Sequence, residues 1–222
     1  MIKLCMFDLD GTLLDTLSTI AHYGNLALNT HGVSTIDKEN YKYLVGNGAK
    51  ILVKRMLEFS NSYSDELYNK VYDTYMKAYD SNPTYLTEPF DDICNMLSSL
   101  KKSGIESAVI SNKPDFASKS VCKAKIPTGL LSEVRGQQEG VKIKPDPEGA
   151  FLIMKKFNVV ESEVIFIGDT GVDMETGKNI GAYTVGVTWG FRKKDELVSS
   201  GADCIIDNPL ELIEIVSRFN NK

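Results

Sequence analysis

Histidine is almost absent from this chain: there are two in 222 residues, His22 and His31, and neither lies near another metal-ligating side chain. Cysteine is hardly richer, with Cys5, Cys94, Cys122 and Cys204 scattered and no C-x-x-C pair among them. A Cys/His metal cluster is therefore excluded, and free thiols fit a reducing cytoplasm best. Cys5 and Cys204 sit in apolar, strand-like runs and read as small core residues. Basic residues are outnumbered, 25 Lys and Arg against 30 Asp and Glu, for a net charge of −5 and a pI near 5.2. No basic cluster offsets that balance, so a nucleic-acid footprint is excluded. An anionic ligand then needs local cations, a metal or helix N-termini. No apolar run approaches the length of a bilayer span. The opening MIKLCMFDLDG meets its acidic break after seven residues, too soon for the apolar core of a secretory leader,. What remains, 42% apolar and 25% charged residues, is ordinary for a globular chain of one large domain, or a core domain carrying a smaller one,.

The stretch that is present and unusual is the first. Ile2 to Phe7, broken only by Lys3, reads as a buried strand that ends in Asp8-Leu9-Asp10-Gly11-Thr12,. Asp-Gly is a common turn dipeptide, so by itself this could be a turn closing a strand. Two carboxylates one residue apart at a core strand nevertheless raise each other's pKa unless a cation or hydrogen bonds offset them. The simplest cation is Mg²⁺, a hard ion that takes oxygen ligands.

After Asp15 the pattern turns helical. Helices are expected over Thr16–His31, Lys38–Val45, Ala49–Phe59 and Asp65–Asp80, with Gly32 and Asn61-Ser62 as breaks and Ser81-Asn82-Pro83 as the close,. Tyr68, Tyr72, Tyr75 and Tyr79 fall on one face of the last helix, and packing of a small helical subdomain accounts for them. Gly46-Asn47-Gly48 fails as a dinucleotide fingerprint, because residue 51 is Ile and no buried strand precedes it; it reads as a helix start,. Lys50 and Arg55 could meet a substrate carboxylate but read more simply as solvated surface residues.

From Glu88 onward strands and helices alternate, with strands at Ile105–Ser111, Leu130–Gly136, Val164–Gly168, Tyr183–Thr188 and Asp203–Ile206. Such alternation implies a parallel sheet covered by helices on both faces. Ligands of such sheets sit beyond the carboxyl ends of the strands. There the polar residues collect: Asp8 and Asp10, Ser111 and Asn112, Asp169 and Asp173, with Lys144 in a loop after a fourth strand.

DLDGT, SN after the second strand, KPDP, and GDTGVD after a buried strand occur in that order. They resemble the four motifs of the haloacid dehalogenase superfamily of phosphohydrolases over essentially the whole chain. GAYTVGVTWGFR and LVGNGAKIL further resemble its phosphoglycolate phosphatase branch. The resemblance implies a three-layer, Rossmann-like α/β core from residues 1–14 and 84–222, with an all-helical cap, 15–83, inserted after the first strand. It implies a Mg²⁺-dependent phosphatase in which Asp8 is the nucleophile that forms an aspartyl-phosphate. Asp10 would protonate the leaving oxygen, deprotonate the attacking water and lend its backbone carbonyl to the metal. Asp8 and Asp169 would hold the metal, and Asp173 would act through a water or by holding Lys144. The Ser111 hydroxyl and the Asn112 backbone N–H would bind phosphoryl oxygens, and Lys144 would offset Asp8 and the transition-state charge.

The expected activity is hydrolysis of a small phosphorylated metabolite, phosphoglycolate first. A phosphomutase that returns the phosphoryl group to a sugar is the alternative within the superfamily, and a non-catalytic phosphometabolite-binding module the alternative outside it. A dehalogenase has no use for Asp10 or the metal. Oligomeric state is not legible in the sequence.

Overall fold

The computed structural model describes residues 1–221. Its first strand, β1 (Leu4–Phe7), is buried at every position. Two residues, β2 (Leu14–Asp15), lead into four helices: α1 (Leu17–Thr30), α2 (Lys38–Leu44), α3 (Gly48–Phe59) and α4 (Asp65–Ser81). Asn61, in the left-handed conformation, breaks the chain between α3 and α4, and the Ser64 hydroxyl accepts from the Leu67 N–H to start the latter,. The chain returns through β3 (Glu88–Pro89), which pairs antiparallel with β2. The four helices are thus tethered by two short strands lying side by side.

The remainder alternates: α5 (Ile93–Lys102), β4 (Glu106–Pro114), α6 (Asp115–Lys125), β5 (Glu133–Gln137), α7 (Glu148–Phe157), β6 (Val164–Gly168), α8 (Gly171–Asn179), β7 (Tyr183–Val187), α9 (Lys194–Ser199), β8 (Cys204–Ile206) and α10 (Glu211–Asn220). The six long strands form one parallel sheet in the order β5-β4-β1-β6-β7-β8. This is the doubly wound α/β fold that the alternation implied. α6, α7 and β6 have the limits expected from the sequence, whereas β4 runs on to Pro114 and α9 was not anticipated.

Alternation of side chains across β1 divides the core. Cys5 and Phe7 join Val109, Ile165 and Ile167 under α5 and α10, while Leu4 and Met6 join Ala108, Ile110 and Phe166 under α7,. Each fully buried Val, Leu, Ile, Phe or Met among them contributes ~1.5–3 kcal/mol from burial. A third core, including Ile20, Leu28, Tyr41, Met56, Val71 and Tyr79, belongs to the four helices, with Ala117 and Phe191 packed against it from the sheet side. Because β1 lies centrally, the loops after β1, β4 and β6 open side by side at its carboxyl end. Among the described residues no helix is long and apolar enough to cross a membrane.

Candidate active site

Asp8 begins where β1 ends, its N–H still held by the Ile167 carbonyl at 2.9 Å. The turn after it needs Gly11, at φ +90°, a region that favours glycine,. A Cβ there would also lie 2.3 Å from an Asp169 oxygen. Glycine is therefore required for the β1 loop to lie against the end of β6.

Lys144 joins the two loops. Its Nζ lies 2.8 Å from Asp8 Oδ1 and 2.6 Å from Asp173 Oδ1, and the lysine side chain is only 3% exposed. Asp8, Asp169 and Asp173 are all buried, and one ligand atom from each lies within 4.8 Å of the others. Asp169 is oriented by the Thr12 hydroxyl at 2.9 Å and the Phe191 N–H at 2.8 Å. Asp173 accepts from the Thr170 N–H and hydroxyl at 3.0 and 2.6 Å through the oxygen that Lys144 does not use. Both Asp173 oxygens are thus engaged by the protein, which suits the expected part of holding Lys144.

Two carboxylates, Asp8 and Asp173, pair with the one lysine, and Asp169 lies beside them. Burial, and next the charge of Asp173, push the Asp8 carboxyl up to about 7 against the pull of Lys144. Burial, Asp173 and Asp8 hold the Asp169 carboxyl well above its ordinary range, opposed by the Phe191 and Thr12 donors. Burial pulls the Lys144 ammonium down, but Asp173 and Asp8 outweigh it and leave it raised,. This excess of buried negative charge, built entirely of hard oxygen donors, fits a small divalent cation. Such a metal would be held by Asp8 and by Asp169, whose oxygens accept only from the neutral donors Thr12 and Phe191, whereas Asp173 is paired with Lys144.

Asp10 is placed differently. Its carboxylate is not in that group but is gripped by Lys113, at 2.8 and 3.1 Å from the two oxygens. Lys113 is the residue that the sequence reading missed. The expected strand stops at Ser111, but β4 extends past Lys113, whose side chain is 5% exposed. Its Nζ also lies 4.8 Å from the ring centroid of Tyr79. Burial lowers the Lys113 pKa, and Asp10 and Tyr79 more than reverse this.

Ser111 lines the cavity beside Asp8 and Asp10, and its hydroxyl accepts from the Lys113 N–H at 3.2 Å. The Asn112 side chain is a cross-link. It accepts from the Lys144 N–H at 2.8 Å and donates to the Lys144 and Gly46 carbonyls at 3.0 Å each. Asn112 thereby joins the Lys144 loop to the loop between α2 and α3. Arg192 and Arg55 clasp that loop as well, donating to the Val45 and Leu44 carbonyls at 3.2 and 3.1 Å. Arg55 does not line the cavity, and Lys50 is exposed.

The cavity, of about 60 Å³, is bounded by Asp8, Asp10, Ser111, Asn112 and Lys113 on the sheet side and by Ile20, Leu52, Tyr75, Met76 and Tyr79 on the helical side. The tyrosine face of α4 is therefore divided. Tyr68 and Tyr72 only pack, while Tyr75 and Tyr79 pack and also form cavity wall. The segment GFR after β7 also acquires a place: Phe191 bonds Asp169 and lines the cavity, and Arg192 bonds the Val45 loop.

Residues 5–187 match the family model of haloacid dehalogenase-like hydrolases. An N-acetylmuramic acid 6-phosphate phosphatase of Pseudomonas aeruginosa is 29% identical, the match covering 98% of this chain and 96% of the relative. A phosphoglycolate phosphatase of Mannheimia succiniciproducens is 30% identical, with 96% and 98% covered. The crystal structure of a predicted phosphoglycolate phosphatase from Haemophilus somnus superposes with a TM-score of 0.91 at 26% identity, covering 97% of this chain and 98% of that one. The chain belongs to the haloacid dehalogenase-like hydrolases. Within them it is an enzyme of the phosphoric monoester hydrolase class.

Proposed function

We propose that the enzyme is a Mg²⁺-dependent phosphatase of a small phosphomonoester, phosphoglycolate first, working through an aspartyl-phosphate on Asp8. The observation that carries this reading is Lys144 held between Asp8 and Asp173 at 2.8 and 2.6 Å, beside a cavity that also presents Asp10. The helical wall of the cavity, from Ile20, Leu52, Tyr75, Met76 and Tyr79, faces the place of the leaving group. Relatives named for phosphoglycolate are about as similar as the one named for a sugar acid phosphate.

Asp8 attacks phosphorus through a carboxylate oxygen, and Lys144 aims that carboxylate and opposes its protonation,. The ester oxygen leaves with a proton from Asp10. Asp10 then takes a proton from the water that attacks the phosphoryl group on Asp8, which returns Asp8 and releases phosphate. The Ser111 hydroxyl and the Asn112 N–H receive phosphoryl oxygens. A Mg²⁺ held by Asp8, Asp169 and the Asp10 carbonyl would supply the positive charge that lets carboxylates and phosphoryl oxygens approach. Asp173 positions Lys144.

In this reading α1–α4 form a cap over residues 15–83 that opens on the paired strands β2 and β3 and closes through Asn112 and Arg192,. The four free cysteines support a cytoplasmic setting,. The test is phosphate release from a panel of phosphorylated metabolites, with Mg²⁺ and with EDTA. Strong Mg²⁺-dependent release from phosphoglycolate is expected. Weak release spread over many esters would remove the named substrate, and dependence on a bisphosphate activator would point to a mutase.

A further inference from the structure

Two hydrogen-bond donors meet in the cavity and neither is fully answered by the protein. The Tyr79 hydroxyl is buried and finds no partner among the described residues, in a residue only 4% exposed. Beside it lies Lys113, the one cation among the described residues that line the cavity, with Asp10 as its partner. An ammonium has three donor hydrogens, and the Asp10 carboxylate does not exhaust them. Buried polar groups are ordinarily satisfied, so an orphan donor in a cavity wall calls for an acceptor that the protein itself does not provide. Of the other helical wall residues, Ile20, Leu52 and Met76 are apolar, and Tyr75 contributes the one further hydroxyl.

We propose that Lys113 and the Tyr79 hydroxyl form the subsite that reads the leaving group, and that they take a carboxylate. A carboxylate is acceptor-only, and so complements two donors where an alcohol would bring a donor of its own. Its place relative to the reacting centre follows from Asp10. Lys113 holds the carboxylate group assigned to protonate the ester oxygen, so the anion it binds lies on the leaving-group side, beside Asp10. The substrate class is the phosphate ester of a short hydroxy acid, with the carboxylate next to the ester-bearing carbon. Arg55 and Arg192 do not line the cavity; each donates to a carbonyl of the neighbouring loop, Leu44 and Val45.

This subsite rests on the phosphatase reading above, and the test separates the two. The full-length enzyme with Mg²⁺ is assayed on phosphoglycolate and on ethyl phosphate, which has the same carbon count and no carboxylate. The wild type is expected to favour phosphoglycolate, and Tyr79→Phe to lower the ratio of the two kcat/KM values about 10- to 100-fold, the range of a hydrogen bond to a charged group. Tyr79→Phe removes only an unpartnered hydroxyl, so its thermal stability should not fall, which keeps the test readable. Lys113→Gln should lower the ratio further. An unchanged ratio in Tyr79→Phe overturns the subsite, as does a wild type that hydrolyses both esters equally well; in either case the phosphatase reading stands. No metal-dependent release from any ester overturns both.

Discussion

Asp8→Asn should make the metal-free enzyme more stable while it abolishes turnover. The Asp8 carboxyl is held at about 7 in the folded protein against an ordinary value of 3.8, chiefly by burial and the charge of Asp173. Between those values the folded state keeps a proton that the unfolded chain has already released. Stability therefore falls as pH rises from about 4 to 7, the reverse of an ordinary ion-paired carboxylate,. At ~1.4 kcal/mol per pH unit the ionised Asp8 opposes folding by up to about 4 kcal/mol above that window. Asparagine keeps the shape and discards the charge. In EDTA at pH 8 the variant should melt several degrees above wild type, at roughly 2–4 °C per kcal/mol for a domain of this size. Near pH 4 the two should converge. Added Mg²⁺ should narrow the gap at pH 8 by stabilising the wild type, because the variant has lost a charged ligand. The assay is thermal unfolding across pH in EDTA and in Mg²⁺, with phosphate release measured alongside. A variant less stable than wild type at pH 8 in EDTA, or one retaining substantial Mg²⁺-dependent turnover, would refute the reasoning.

Lys144→Met leaves the Asp8 and Asp173 carboxylates buried without their cation, and urea unfolding should register a loss of about 3–5 kcal/mol at neutral pH,. Its kcat should fall at least about 10²-fold, as when a fixed electrostatic donor is removed from an active site. Gly190→Ala places a methyl 2.3 Å from Asp169 Cβ and 2.5 Å from the Gly11 carbonyl. Mg²⁺ titration followed by thermal shift should show roughly 10- to 100-fold weaker binding, the usual effect of disturbing a ligand's support. Asp203, far from the site, is held below the ordinary carboxylate range because Lys178 and Thr184 outweigh its burial. The stability it adds is present above about pH 4 and is lost as pH falls through its lowered value. Asp203→Asn should therefore melt lower than wild type at pH 7 and approach it near pH 3.

The site was legible where the sequence places chemistry at the end of an apolar run. Asp8, Asp10 and Asp169 each follow such a strand, and Lys144 stands out because it is framed by the only Lys-Pro-Asp-Pro in the chain. α6, α7 and β6 were legible end to end because Pro114, Pro147, Asn158 and Gly168 punctuate them. Lys113 was not legible. A lysine before proline reads as solvated loop, and only its partners from elsewhere in the chain, Asp10 and Tyr79, make it a buried cation. Tyr79 was hidden for the opposite reason, since its helical spacing is fully accounted for by packing and its second face appears only when α4 meets the sheet. The strands β2 and β3 are two residues each, too short for any periodicity, and α9 carries a single buried residue, Leu197, in six,. Arg192 lies just before it, in a segment whose resemblance to a family branch carried no assigned role.

The most direct test of the account is to acid-quench the enzyme during turnover of phosphoglycolate with Mg²⁺ and map the phosphoryl group by peptide mass spectrometry. One phosphoryl group on the peptide holding Asp8, absent in EDTA and absent in Asp8→Asn, is the predicted result. Turnover with no phosphoryl group on that peptide, or one carried on another residue, would contradict it.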